Sequence, residues 1–417
     1  MRTAYEHDVL QPIRQRAAER FLELGWPTTR IEEWKYTNLA PLSKLEWQRA
    51  TASEHPGSVD LDGSSLRGRA IAELVFVNGV YAPEVSSGGG TAGVSVTTLR
   101  NALPALVQEH FGKLADVERN AMTALNTANV HDGALVEVND AVEGFVHLLF
   151  IGSDGFASHP RNLIIANSAS QIAVVESYVG SGTYFTNAVT EIVAADGAVV
   201  DHYKLECESR SAFHIGTIYS RQSRSSSVTS RNVSIGGKLV RSDVTSALDG
   251  EGSTLVLDGL YVGNDDQHID QHTVIDHVQP HGESVELYKG ILDGNARGIF
   301  DGKIVVRPNA VKTNSKQSNH NLLLSETAVV DSKPTLEIHN DDVKCSHGST
   351  IGQLPAEPLF YLRSRGIGEE EARGLLIHAF AAEIIERMKI EPVREQIGRA
   401  LFAAMKERLA ERRGGSR

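Results

Sequence analysis

The sequence predicts a mainly β protein, with a β-rich body carried between an N-terminal mixed region and a C-terminal helical region. Two observations predict it. Between about residues 150 and 345, short runs rich in Val, Ile, Thr and Tyr follow one another, separated by Gly, Asn, Asp and Ser. On either side, apolar residues recur at helical rather than alternating spacing. The zones are drawn at 1–150, 151–345 and 346–417.

In the first zone Val9, Leu10, Ile13, Ala17, Phe21 and Leu24 keep the period of a helix, and Gly25 stops it before Pro27. Leu74-Val75-Phe76-Val77 reads as a strand entering a tight turn at Asn78-Gly79, and Gly88-Gly89-Gly90 as loop. In the second zone Ile172–Tyr178, Val189–Val193, Val199–Leu205, Ser227–Ile235, Thr254–Val262 and Ile304–Val306 read as strands. No long amphipathic helix interrupts them, so a sandwich, a barrel and a solenoid all stay open, and no strict period selects among them. The helical part of the third zone starts near Pro355. Ala372, Leu375, Leu376, Ala379, Phe380, Ile384 and Met388 form one apolar face, behind the acidic first turn Glu369-Glu370-Glu371. Pro392 opens a second helix with the face Val393, Ile397, Leu401, Met405 and Leu409, and fraying is expected over Arg412–Arg417. Such helices either cap a core or offer a docking face, and capping is the commoner fate.

Composition excludes several functions. A formal charge of −12 over 417 residues argues against a general nucleic-acid binder. No stretch approaches the roughly 20 apolar residues of a membrane span, and the N-terminus has no apolar signal core, so a cytoplasmic protein is expected. Two cysteines, Cys207 and Cys345, cannot build a disulfide framework or a four-thiolate site. Gly236-Gly237-Lys238 lacks the spacing and hydroxyl of a phosphate-binding loop, and no Gly-x-Ser-x-Gly elbow occurs.

Two polar constellations remain. His268-x-Asp270-x-His272, followed by Asp276-His277 and His281, would put three metal-ligand side chains on one face of a strand. Alternate residues stand about 7 Å apart, so convergence on one ion needs curvature. A solvated polar face is the simpler reading, and a β-helical metal-dependent enzyme using His268, Asp270 and His272 is the alternative. The second is Asn340-Asp341-Asp342-Val343-Lys344-Cys345-Ser346-His347-Gly348, where a thiol and an imidazole lie two residues apart. Lys344 would favour the thiolate, and Asp341 and Asp342 would oppose it. One Cys-x-His pair has too few ligands to close a site, so the remainder must come from another chain, water or sulfide. Cys207, between Glu206 and Glu208, sits where a thiolate is disfavoured and reads as structural.

At this second segment the sequence resembles the SufB/SufD family. The likeness continues through Gly302-Lys303-Ile304, Thr313, Gln317, Asn319–Ser325, Pro334–Ile338 and Leu359–Ile367. Near the other end, Arg30-x-Glu32-Glu33-Trp34-Lys35-Tyr36-Thr37 resembles the SufD signature rather than that of SufB, with Phe76–Gly79 and Ala124-Leu125-Asn126-x-Ala128 in support. The resemblance implies a right-handed parallel β-helix between helical domains, which selects the solenoid. It implies a non-catalytic scaffold subunit for iron–sulfur cluster assembly, paired with SufB through the β-helix. The ATPase SufC would dock on the C-terminal helical region, which accounts for the missing phosphate loop. His347, with Cys345 close by, would hold iron or a transient iron–sulfur cluster at the SufB interface, and the isolated chain would hold none tightly. A flavin in the assembled complex is also implied, without an assignable residue. Alone, the chain could instead pair with itself through the same β edge.

Overall fold

The computed structural model describes residues 10–50 and 66–414, with side chains described through Met405. Val9, the Leu409 side chain and residues 415–417, which entered the helix readings, lie outside the described residues. The chain forms a β-solenoid of about 8 turns with helices at both termini.

Two parallel sheets make the solenoid. One carries Gln171–Gly180, Val199–Glu206, Ser227–Ile235, Thr254–Gly263, Glu283–Leu292, Asn314–Leu323 and Lys344–Gln353 in spatial order. The other carries Phe185–Ala194, Phe213–Gln222, Leu239–Leu248, His268–His277, Arg297–Val306 and Val329–Ile338. Each strand pairs with the strand one coil later, so side chains of one parity stack in columns along the axis. Register partners are 28 residues apart at His202–Ser230 but 31 apart at Glu286–Gln317. Unequal turns hide the repeat from a search for a fixed period.

One corner repeats a left-handed residue: Ala169, Ser225, His281 and Lys312 all have φ between 54° and 60°. Each of these residues donates its N–H to a carbonyl of the next coil, as in His281 to Val311 at 2.9 Å. His281 is therefore a corner residue, remote in role from the strand before it.

The two ends differ. At the first coils the lumen is apolar, with Phe76, Phe150 and Tyr178 stacked at centroid separations of 5.1 and 4.9 Å. There the Asn78-Gly79 turn, with φ of 50° and 82°, joins Ala72–Val77 to Val80–Tyr81, and Val94–Thr98 extends the second sheet antiparallel to Ala134–Val138, with Gly90–Thr91 at its edge. Helix Gln11–Leu24 packs on helix Ala121–Asn129, and Trp34, Leu39 and Leu42 are buried against Phe185 and Phe213. Among the described residues the last coil has no such cover. Val329, Ile338 and Ile351 on it are 48%, 42% and 51% exposed.

Strand Lys344–Gln353 runs through the boundary drawn at 345/346, and strand Val146–Gly152 through that at 150/151. The last strand was illegible because an uncovered coil keeps its polar residues and shows no apolar alternation.

Helices Glu369–Ile385 and Glu391–Gly414 lie along the outer face of the first sheet. Ile377, Ala381, Ile384, Met388, Val393, Ile397 and Leu401 pack there against Tyr203, Leu205, Val233, Leu260 and Leu287. Lys389 pairs with Asp201 at 2.8 Å and Arg387 with Asp258 at 2.9 Å. Leu375, placed on the apolar face by its spacing, is instead exposed, as is Ala379, while Ile377 and Ala381 are buried. Apolar residues surround this helix on most sides, so spacing alone misjudges the buried stripe. The helices cover a side of the solenoid and leave its end open. Helix Ala356–Ser364 buries no residue.

Candidate functional site

The open coil places Cys345 and His347 together. Both lie on the lumen face of strand Lys344–Gln353, in register with Ser315 and Gln317 of the preceding coil. Cys345 is partly buried and packs on the edge of the core with Val343, whereas His347 is exposed. Burial pushes the Cys345 thiol up, opposed by a hydrogen bond from the Ser315 backbone. Lys344, expected to favour the thiolate, plays no such part, and Asp342 pairs with Lys312 at 2.8 Å. The group stays a thiol near neutral pH, and a metal bound there must displace its proton.

Under each of these residues runs a buried column. Beneath Cys345 the Ser315 and Ser284 hydroxyls share a 2.6 Å hydrogen bond, and Ser284 lies 2.9 Å from His277 Nε2. His277, from the polar run 268–281, thus points inward, where burial pushes it down to about 4 against the pull of Asp276. Beneath His347, Gln317 Nε2 donates to Glu286 Oε2 at 2.6 Å. Burial pushes Glu286 up to about 7, opposed by the neighbouring Thr273 and Gln317 side chains. Gly302 makes this geometry possible, since a Cβ there would stand 2.4 Å from Gln317 Nε2. Ser284, Glu286 and the inward turn of His277 escaped the sequence reading. The signal that could have found them is the offset of about one coil linking 286, 317 and 347.

The other constellation has a different occupation. His268, Asp270 and His272 share the outer face of their strand, as the two-residue period requires. Thr37 from the N-terminal segment lies 2.7 Å from His268 Nε2 and donates to Asp270 Oδ2 at 2.5 Å. Arg241 Nη1 pairs with Asp270 at 2.8 Å, and His272 Nε2 lies 2.8 Å from the other oxygen. Burial would raise the Asp270 carboxyl, but His272 and Arg241 outweigh it and hold the group well below the usual range. Asp276 is taken by Arg307 at 2.8 Å. Arg241 also lies 3.8 Å over the Trp34 ring and donates to the Glu33 carbonyl at 2.7 Å. These residues form the seat of the Glu32–Thr37 segment. Among the described residues no group of three or more His, Cys, Asp and Glu side chains is arranged to hold a metal ion.

Cys207 is inert by environment: burial first, then Glu206 and Glu208, push its thiol up to about 12.

Residues 2–144 match the model of the SufBD protein N-terminal region, and residues 149–380 that of the SufBD core domain of the SUF FeS cluster assembly system. The chain belongs to the SufBD family. It is 33% identical to an iron–sulfur cluster assembly SufBD family protein of Synechocystis, over 92% of this chain and 89% of that one. With the iron–sulfur cluster assembly protein SufD it shares 31% identity in Escherichia coli, over 93% of this chain and 91% of the relative. The figure for Bacillus subtilis SufD is 28%, over 93% and 92%. The SufBD resemblance read from the Trp34 signature and the Cys345–His347 block is therefore shown along nearly the whole chain. Among the described residues, no helix is long and apolar enough to cross a membrane.

Proposed function

We propose that this SufBD protein is a SufD-type, non-catalytic scaffold subunit whose open coil supplies half of a site for a nascent iron–sulfur cluster. The single observation that carries the reading is the exposure of the last lumen face. Cys345 and His347 offer a sulfur and a nitrogen donor at a solenoid end that, among the described residues, nothing else covers. Iron prefers four or more ligands, and thiolate with imidazole is a suitable part of such a set. A SufB-type solenoid meeting this end would supply the remaining donors and cover Val329, Ile338 and Ile351. Iron and sulfide are cargo in this scheme.

The ATPase of the system, of SufC type, would dock on the C-terminal helical region. Helix Ala356–Ser364 supports this with Phe360 and Tyr361, 73% and 56% exposed. Co-expression with SufB- and SufC-type chains, followed by size-exclusion chromatography, tests both contacts. The wild type is expected to elute as a ternary complex. Ile351→Asp should release the SufB-type chain and Phe360→Asp the ATPase alone. Retention of both partners by both variants would overturn the assignment of the surfaces.

A further inference from the structure

The buried column under His347 contains an unmet acceptor. Gln317 Oε1 is buried without a hydrogen-bond partner, although the Nε2 of the same amide is fixed on Glu286 at 2.6 Å. Among the described residues His347 finds no hydrogen-bond or ion-pair partner. The two side chains are register partners on one face of adjacent strands, which stand about 4.8 Å apart. An acceptor that lacks a donor and an imidazole that lacks an acceptor therefore sit one ladder step from each other. The side-chain torsions of His347, free at an exposed position, can close the gap.

While Glu286 is ionised it can only accept, so Gln317 cannot turn its amide without giving up that hydrogen bond. The carboxyl group thereby decides that oxygen, and not nitrogen, remains for the outermost coil. Gly302 keeps the space in which the amide reaches back. A ligating histidine is ordinarily held by a hydrogen bond from its other ring nitrogen, which fixes tautomer and ring plane.

We propose that Gln317, oriented by Glu286, is the positioning residue for His347: its Oε1 accepts the proton-bearing ring nitrogen and leaves the other nitrogen bare for a metal. The proposal rests on the reading of His347 as a site residue, and its readout needs no iron. The full chain labelled with ¹⁵N-histidine, with His347→Gln to assign the resonance, gives the tautomer from long-range ¹H–¹⁵N spectra. The wild type is expected to hold His347 in one tautomer. Gln317→Leu should return it to the mixture of free imidazole, and Gln317→Glu, which keeps an acceptor, should restore the single form. Thermal unfolding of each variant shows that it is folded. A wild-type His347 already at the free-imidazole mixture, or one unmoved by Gln317→Leu, would overturn the proposal. Such a result leaves the site itself standing, whereas normal cluster assembly by His347→Ala would remove the site and not the column.

Discussion

His268-x-Asp270-x-His272 and Cys345-x-His347 place metal-ligand side chains at the same two-residue spacing on parallel strands of one solenoid. The first set faces outward beneath the N-terminal segment, where Arg241 and Thr37 hold Asp270 Oδ2, Thr37 lies against His268 Nε2, and His272 pairs with the other Asp270 oxygen. The second faces the lumen at a coil that nothing covers among the described residues, and there His347 finds no hydrogen-bond or ion-pair partner. Spacing on a strand decides which side chains share a face. What lies over that face decides whether they hold the protein together or remain free for a ligand.

The contrast is sharpest in stability. Asp270→Ala leaves buried Arg241 with one carboxylate fewer and Thr37 without its acceptor, and should cost about 3 kcal/mol in urea unfolding. His347→Ala, at an exposed position, should change stability by no more than about 0.5 kcal/mol. Equal losses would erase the distinction between the two sets.

An effect of similar size, near the open end of the lumen, is read by pH. Glu286 binds its proton more tightly folded than unfolded, with a folded value of about 7 against 4.5. Its contribution is therefore intact below pH 4.5 and is lost as pH rises through 7. At roughly 1.4 kcal/mol per pKa unit, the wild type should lose about 3 kcal/mol at this residue between pH 4.5 and pH 8, in chemical unfolding. Glu286→Gln removes that slope. A slope unchanged in the variant would place the proton elsewhere.

Much of the fold was legible because local chemistry and solenoid geometry agree. Ser227–Ile235 is a strand in sequence and in structure, and Asn78-Gly79 turns as that dipeptide should. The solenoid itself was legible only through resemblance, because coils of unequal length carry no fixed period. At the site, Cys345 and His347 were legible as a pair from spacing and from the family block. Their supports were not: Ser284, Glu286 and His277 lie on strands one or more coils away, and only register brings them beneath. The Trp34 signature could be recognised without being understood, since its meaning is the contact with Arg241, 207 positions along the chain from it. The misjudged stripe on helix Glu369–Ile385 has the opposite cause, an excess of apolar residues rather than a hidden partner.

The most direct measurement compares the two constellations in the assembled complex. Iron and acid-labile sulfide would be counted per complex after anaerobic reconstitution of this chain with SufB- and SufC-type partners, as wild type, as His347→Ala and as His268→Ala. Half of a cluster site at the open coil requires intact complexes in all three, with cluster lost only in His347→Ala. A full cluster in His347→Ala, or one lost in His268→Ala while the complex stays intact, would contradict it.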